Sequence, residues 1–105
     1  MGEQFKVSTP KVSVLVPVYN VERFLPQCLD ALCGQTLRDI EIICINDGAT
    51  DGSPAILHDY AARDQRVRVI DKANSGYGAS LNMGLSQAAG EYIGIVEPDD
   101  FPDRR

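Results

Sequence analysis

Three carboxylates lie within four positions near the end of the sequence. Glu97, Asp99 and Asp100 follow residues 92–96, an apolar run that predicts a buried strand. Like charges so close together repel each other unless a cation or a partner lies between them. Oxygen ligands suit Mg²⁺ or Mn²⁺, which use one or two carboxylates together with the phosphates of a bound nucleotide. The cluster therefore indicates a metal site; the alternative is a solvated acidic turn favoured by Pro98.

Two further side chains have the chemistry of a nucleotide site. Tyr19 offers an aromatic face for a planar base, and Asp47 could accept a hydrogen bond from the ring N–H of uracil. Taken singly, Tyr19 is equally a residue at the edge of the core, and Asp47 with Gly48 is equally an ordinary turn. Both residues follow predicted strands, as the acidic cluster does, and this coincidence favours a nucleotide site.

The glycine-rich loops that bind phosphate in other proteins are not matched. Gly76 and Gly78 begin a G-x-G pattern, but Leu81 occupies the position of the third glycine. The sequence also lacks G-x-x-x-x-G-K-[S/T], so a dehydrogenase and a P-loop enzyme are both disfavoured. A bound diphosphate would then depend on the metal for neutralisation. Residues 74–78 either close over the ligand or form a plain surface connection.

Composition bounds the partners and the location. The chain has 105 residues, 44% of them hydrophobic, which is enough for one domain or part of one. A net charge of -5 argues against a nucleic-acid partner, which would need clustered Lys and Arg. No apolar stretch reaches the roughly 18 residues of a membrane span, and no signal peptide opens the sequence. We expect a cytoplasmic protein, with a membrane anchor beyond Arg105 left open.

The cysteines and the single histidine do not suggest a site of their own. Cys28, Cys33 and Cys44 show neither a zinc spacing nor a disulfide pattern, so we expect reduced core residues. His58 is predicted to lie on a helix, far from the polar strand ends.

Apolar runs alternate with helical periodicity along the chain. Residues 1–10 are predicted to be a flexible leader, and residues 11–105 a single unit. The predicted strands are residues 12–18, 41–46, 67–70 and 92–96, and the predicted helices are residues 22–33, a segment beginning at Ser53 and Pro54, and residues 79–89.

Two caps and one buried face are predicted in more detail. Ser53, followed by Pro54, is expected to be an N-cap. Gly90 is expected to adopt the left-handed conformation that ends many helices. The helix before it is expected to bury Leu81, Leu85 and Ala88.

This alternation predicts an α/β fold with three layers and a mainly parallel sheet. Right-handed crossovers favour the strand order 3-2-1-4, in which the first and fourth strands are neighbours. Ligands of such sheets bind beyond the carboxyl ends of the strands, where the order reverses. Tyr19, Asp47 and the acidic cluster are all expected at that edge.

Several segments, taken in order, resemble the inverting family 2 glycosyltransferases, which have the GT-A fold. The resemblance covers residues 11–101, and a serine is usual in that family where Ala49 stands. The matching segments are residues 12–20, Gln35 with Thr36, residues 46–53, residues 74–78 with Asn82, and residues 89–93.

The resemblance implies a role for each matching residue. Pro17 and Tyr19 would line the base pocket, and Asp47 would hydrogen-bond the base. Asp99 and Asp100 would serve the metal, the donor ribose and the diphosphate. Glu97 departs from the family, where an aspartate is usual; it keeps the charge but reaches farther, and would bind the metal either directly or through water.

The implied reaction transfers a sugar, with inversion, from a nucleoside diphosphate donor to an acceptor hydroxyl. The donor is expected to be linked to UDP, the cofactor to be Mn²⁺ or Mg²⁺, and the acceptor to be a polysaccharide, a lipid carrier or a protein glycan. The catalytic base of the family matches no residue here and is expected beyond Arg105, so the chain would be a truncated, donor-binding half. The alternatives are a nucleotidyltransferase and a non-catalytic α/β nucleotide-binding module.

Overall fold

The computed structural model describes residues 10–35 and 39–100, with the side chain of Asp100 excepted. The predicted leader therefore lies outside the described residues apart from Pro10, as does Thr36 of the family segments. The elements are β1 (Val12–Val18), α1 (Leu25–Cys33), β2 (Ile40–Asp47), α2 (Ser53–Arg63), β3 (Val67–Lys72), α3 (Tyr77–Gln87), β4 (Tyr92–Ile95) and a 3₁₀ turn (Pro98–Asp100).

The strands of the described region form one parallel sheet with the order β3-β2-β1-β4. Val14 of β1 lies opposite Ile42 of β2 on one side and Gly94 of β4 on the other. The predicted strand order is therefore confirmed. Because the strands are parallel, their carboxyl ends meet at one edge of the sheet.

Helices cover both faces of the sheet, which gives the predicted three layers. Val14 and Val16 face the layer of α1 and α2, where they join Leu29 and Leu57 in the larger core cluster. Leu15 points to the other face and joins a smaller cluster that includes residues of β2 and α3. Successive strand residues alternate between faces, so the apolar strands supply both clusters.

The start of α2 differs from the prediction. Gly52 is the N-cap residue and Ser53 is already the first helical residue, so the predicted Ser53 cap is wrong. Asp51 takes over part of the capping because its Oδ1 accepts the Ser53 N–H at 2.9 Å. The Ser53 hydroxyl is used elsewhere and accepts the Val21 N–H at 3.1 Å.

The end of α3 also differs. The helix ends at Gln87 and Ala88 is extended, while positive-φ glycines of the described region are found at Gly48 and Gly76. The left-handed assignment of Gly90 is therefore wrong. A glycine is needed there for another reason: a Cβ would lie 2.6 Å from the backbone nitrogen of Ser13.

The buried face of α3 is rotated from the expected one. Ser80 and Gly84 are buried, and Leu81 and Ala88 are half-buried against the smaller cluster. Leu85 is 49% exposed, contrary to the prediction. The small residues Ser80 and Gly84 let the helix approach the sheet closely, which turns the larger Leu85 outward.

β4 is not the buried strand that its apolar residues predict. Tyr92 is 60% exposed and Ile95 is 50% exposed. β4 pairs with β1 on one side, and within residues 10–35 and 39–100 no strand pairs with its other side. An edge strand keeps its apolar residues accessible, which explains the difference.

The cysteines are free, as expected, and Cys28 and Cys44 are buried. Burial raises the pKa of Cys28 and of Cys33 to about 11, so both thiols stay protonated at neutral pH. His58 lies closer to the strand ends than predicted, because its Nε2 is 2.9 Å from Oδ2 of Asp71 on β3. None of the described helices is both long enough and apolar enough to cross a membrane.

Candidate functional site

A cavity of about 350 Å³ lies beyond the carboxyl ends of β1, β2 and β4. The residues predicted to bind the nucleotide and the metal line it together: Pro17, Tyr19, Asp47, Glu97 and Asp99. Asp100 ends the 3₁₀ turn beside them, but its side chain lies outside the described part of the chain. The further lining residues are Val18, Val21, Asn74, Gly76, Tyr77 and Ser80.

The turn that carries Tyr19 is held by the loop after β2. Asn20 adopts a left-handed conformation with φ of 52°, which asparagine tolerates better than most residues. Its Oδ1 accepts the Thr50 N–H at 2.8 Å, and its Nδ2 donates to the Thr50 hydroxyl at 3.2 Å. Tyr19 is 48% exposed on this fixed turn, so its ring borders the cavity and remains accessible.

A second set of hydrogen bonds joins the same two loops. The Glu22 N–H donates to Asp51 at 3.1 Å, and the Gly52 N–H donates to Glu22 at 2.6 Å. Burial acts to raise the pKa of Asp51, but the N–H and hydroxyl groups of Ser53 and the N–H of Glu22 outweigh it and lower the pKa. The loops after β1 and β2 therefore form one hydrogen-bonded unit.

Asp47 is 5% exposed and is fully engaged within the protein. Its Oδ1 accepts from Lys72 Nζ at 2.5 Å and from the Ser75 N–H at 2.8 Å, and its Oδ2 accepts the Gly76 N–H at 3.0 Å. Burial acts to raise the pKa of Asp47, but these three donors outweigh it and hold the pKa below its ordinary value. The ionised carboxylate thus fixes the loop after β3.

The involvement of Lys72 was missed by the sequence analysis, although a signal for it existed. Lys72 lies directly opposite Asp47 in the register of β3 and β2, at the ends of both strands. Opposite charges at paired positions of neighbouring strands attract each other. Extending the predicted second strand by one residue and the predicted third strand by two would have paired Asp47 with Lys72.

The loop after β3 packs closely on Gly48. Gly48 has φ of 69°, and a Cβ there would lie 2.7 Å from the backbone nitrogen of Asn74. The side chain of Asn74 in turn donates to the backbone oxygen of Asp47 at 3.0 Å. We refer to Asp47, Gly48, Lys72 and residues 74–76 as the Asp47 corner.

Glu97 and Asp99 form the acidic corner at the opposite side of the cavity. Pro98 between them is buried, which anchors the turn, while Asp99 is exposed and Glu97 half-buried. The hydroxyl of Tyr77, from the first turn of α3, donates to Glu97 Oε2. Tyr77 belongs to residues 74–78, which the sequence analysis expected either to close over the ligand or to form a surface connection, but it was not singled out there as a site residue.

The acidic corner is suited to a divalent cation but is incomplete by itself. The residues that the structure describes contain no group of three or more His, Cys, Asp or Glu side chains arranged to hold a metal. Two carboxylates facing one cavity nevertheless fit Mg²⁺ or Mn²⁺, which commonly take one or two carboxylates and complete their shell with water and phosphate oxygens.

Ser80 was also missed, because an isolated serine in a predicted helix carries no sequence signal. It is 1% exposed, lines the cavity, and its hydroxyl has no hydrogen-bond partner among the described residues.

Comparison with known proteins agrees with this geometry. The family model for glycosyl transferase family 2 matches residues 13–105. An uncharacterized glycosyltransferase of Bacillus subtilis, EpsJ, is 53% identical over 92 residues, which are 88% of this chain and 27% of EpsJ. The chain thus spans about a quarter of the length of this relative.

Solved structures give the same result. S. aureus TarS 1-349 in complex with UDP-GlcNAc matches 85% of this chain and 26% of its own, with 33% identity and a TM-score of 0.78. The mannosyltransferase PcManGT of Pyrobaculum calidifontis, in complex with GDP-Man and Mn²⁺, matches 87% and 28%, with 26% identity and a TM-score of 0.74. The predicted GT-A fold is confirmed. With a family match over most of its length, this chain belongs to glycosyl transferase family 2.

Proposed function

We propose that the chain is the donor-binding part of an inverting, metal-dependent glycosyltransferase that uses a UDP-linked sugar. The observation that carries the proposal is the meeting of Tyr19, Asp47, Glu97 and Asp99 around one cavity at the carboxyl ends of the strands. Solved relatives in complex with UDP-GlcNAc, or with GDP-Man and Mn²⁺, support a nucleotide sugar as the ligand.

The base is assigned to the side of the cavity formed by β1 and β2. Tyr19 supplies an exposed ring for stacking, and Pro17 lines the cavity beside it. Asp47 is the acceptor for a ring N–H, and its lowered pKa keeps it in the accepting, ionised form. Its oxygens are already hydrogen-bonded, so contact with a base requires that it share or exchange a partner from the loop after β3.

The diphosphate and the metal are assigned to the acidic corner. Glu97 and Asp99 would hold the cation, with Asp100 as a third carboxylate and Asp99 also serving the ribose and the diphosphate. A bound cation would act there as a Lewis acid toward the charge of the leaving diphosphate. In the part of the chain that the structure describes, no Lys or Arg is among the residues that line the cavity, which supports metal dependence.

The acceptor hydroxyl would lose its proton to a carboxylate base beyond Arg105 as the sugar is transferred with inversion. The 105-residue chain is then expected to bind the donor and to lack transferase activity. Among polysaccharide, lipid-carrier and protein-glycan acceptors we favour a polysaccharide, and with it a role in polysaccharide biosynthesis. We also propose a cytoplasmic location, which the free state of Cys28, Cys33 and Cys44 supports.

Calorimetric titration tests the proposal directly. UDP is titrated into the chain with and without Mn²⁺ or Mg²⁺, and we expect the cation to tighten binding by at least about tenfold. Asp99→Asn is expected to remove most of that gain. Glu91→Gln, an exposed acid outside the cavity, is the control for loss of one negative charge. Binding without any response to metal, or a full metal response in Asp99→Asn, would contradict the proposed site.

A further inference from the structure

The hydroxyl of Ser80 is buried and unpaired, which is an unfavourable state for a polar group. A helical serine commonly donates its hydroxyl hydrogen to a backbone carbonyl one turn earlier. Ser86 of the same helix does so and donates to Met83 O at 2.7 Å. Because Ser80 has no such partner among the described residues, its hydroxyl keeps an unused hydrogen-bonding capacity next to the cavity that Ser80 lines.

The position of Ser80 on α3 places it over the ends of the central strands. Ser80 and Gly84 are one turn apart on the face of α3 that contacts the sheet. Gly84 lies against the middle of the sheet, since a Cβ there would be 2.9 Å from Ile45 and 3.1 Å from Leu15. The helix runs antiparallel to the strands that it connects. One turn, about 5.4 Å, toward its N-terminus therefore brings Ser80 to the carboxyl ends of β1 and β2.

Hydrogen bonds tie Ser80 to the Asp47 corner. The Ser80 N–H donates to Gly76 O at 3.0 Å, and the Gly76 N–H donates to Asp47 Oδ2 at 3.0 Å. The acidic corner is served by a different residue of the helix, Tyr77, whose hydroxyl donates to Glu97. Ser80 is thus linked through Gly76 to the Asp47 corner, which belongs to the side of the cavity assigned to the base.

We propose that the Ser80 hydroxyl donates a hydrogen bond to a ring carbonyl of the donor's pyrimidine base, an inference that rests on the proposed function above. The edge of uracil carries one N–H between two carbonyl oxygens, so it is matched by a hydrogen-bond acceptor next to a hydrogen-bond donor. Asp47 would accept from the N–H, and the Ser80 hydroxyl would donate to one of the carbonyl oxygens. The hydroxyl is closed to solvent in the present conformation, so a base that reaches it displaces part of the cavity wall.

This role predicts opposite effects of the Ser80 hydroxyl on the stability of the free protein and on its affinity for the base. In the free protein an unpaired buried hydroxyl is destabilising, whereas with the base bound it is satisfied. Ser80→Ala should therefore leave the free chain as stable as the wild type or more stable, and at the same time weaken binding. A serine that only supports the fold would show the reverse pattern.

The test compares Ser80→Ala with Ser86→Ala, which removes an exposed hydroxyl from the same helix. Uridine and UDP are titrated into each variant with and without Mn²⁺, and Tm is measured on the ligand-free chains. For Ser80→Ala we expect uridine and UDP to lose affinity by the same factor, roughly 3- to 30-fold, whether or not Mn²⁺ is present. Ser86→Ala should bind like the wild type, and Ser80→Ala should melt no lower than Ser86→Ala.

Analogues of the base identify the contacted atom. Sulfur is a weaker acceptor than oxygen, so 2-thiouridine or 4-thiouridine should bind the wild type more weakly than uridine does. For the carbonyl that Ser80 contacts, that difference should disappear in Ser80→Ala, as in a double-mutant cycle.

Several results would overturn the inference while leaving the proposed function intact. These are unchanged affinity in Ser80→Ala, a loss confined to UDP with Mn²⁺, a lowered Tm with unchanged affinity, and no coupling to either thio analogue. Failure of the wild type to bind UDP at all would instead refute the proposed function, and this inference with it.

Discussion

The Asp47 corner and the acidic corner face each other across one cavity, yet they are built in opposite ways. Asp47 is buried at the end of a central strand and accepts from Lys72 and from two backbone N–H groups. Glu97 and Asp99 follow an edge strand and are far more accessible to solvent.

The difference follows from the place of each strand in the sheet. β2 has neighbours on both sides, and all of its residues are buried, so its last carboxylate must be satisfied by the protein. β4 has one neighbour in the described region, so its acidic turn can be satisfied by water or by a cation. The Asp47 corner is therefore preorganised, whereas the acidic corner would be completed by the cation and diphosphate that the proposed function assigns to it.

Removal of the Asp47 carboxylate should give the largest effect on stability. Asp47→Ala removes the carboxylate partner of the largely buried Lys72 ammonium, which keeps Ala73 O and the Ser75 hydroxyl as acceptors, and releases the backbone N–H groups of Ser75 and Gly76. Breaking a buried pair in this way costs about 3 kcal/mol, measured as the free energy of unfolding in urea.

Asp59→Ala is the matched control, because it removes an aspartate from an exposed pair with Arg63 and should change little. Equal effects of the two substitutions would show that the Asp47 corner is not preorganised by its carboxylate.

Lowering the pH should also destabilise the Asp47 corner. The loss in the free energy of unfolding should not exceed the loss caused by Asp47→Ala. The pKa of Asp47 is lower in the folded chain than in the unfolded chain, so its contribution is present above the unfolded pKa, near 4. That contribution is lost as pH falls through the folded pKa. The free energy of unfolding should therefore decrease as the pH falls below about 5, and the decrease should be shallower in Asp47→Asn. Parallel pH profiles for the two chains would contradict the assignment.

The close contact at Gly48 should be next in size. Gly48→Ala introduces a Cβ 2.7 Å from the backbone of Asn74 and forces a non-glycine residue to φ of 69°. We expect a loss of about 2 kcal/mol in the free energy of unfolding. Gly78→Ala is the control, since a Cβ there meets nothing within 4 Å and φ is not positive. If the two variants have the same free energy of unfolding, the close contact between Asn74 and Gly48 does not stabilise the loop after β3.

Sequence patterns were sufficient for the features that depend on alternation. Apolar runs separated by helical periodicity gave the parallel sheet, and the strand order brought Tyr19, Asp47 and Glu97 to one edge because parallel strands end together. The side chains around each residue could not be obtained in this way. The saturation of Asp47 depends on backbone N–H groups of a loop 28 residues away, which leave no trace in a pattern of residue types.

The errors in α3 have a related cause. A helical pattern assigns large apolar residues such as Leu85 to the interior, whereas the contact with the sheet is centred on Gly84. The backbone of α3 lies close to the sheet, so only small residues such as Ser80 and Gly84 fit on the contacting face. This requirement follows from the distances between helix and sheet, which a sequence pattern does not contain. Ser80 was overlooked for the same reason, because it lies on this small-residue face.

The link between the loops after β1 and β2 extends the preorganised region to Tyr19. Asn20→Gly keeps the left-handed conformation accessible but removes the hydrogen bonds to Thr50, and should lower the free energy of unfolding by about 1 kcal/mol. Asn20→Ala adds backbone strain to the same loss. Urea unfolding should therefore rank wild type above Asn20→Gly and Asn20→Gly above Asn20→Ala. If Asn20→Ala were more stable than Asn20→Gly, the left-handed conformation at residue 20 would not contribute to stability.

The smallest effect on stability should come from the acidic corner, where the largest effect on binding is also expected. Glu97→Gln keeps the shape of the side chain and an oxygen to accept from Tyr77, so the free energy of unfolding should change by less than about 0.5 kcal/mol. The same substitution removes one of the two charges that the acidic corner presents to the cavity, and the tightening of UDP binding by Mn²⁺ should fall by at least about tenfold. Asp47→Ala should therefore lower mainly the free energy of unfolding. Glu97→Gln should lower only the tightening of UDP binding by Mn²⁺. A Glu97→Gln chain that unfolds as readily as Asp47→Ala would show that the acidic corner is also part of the folded framework, because stability and metal binding would then depend on the same carboxylate.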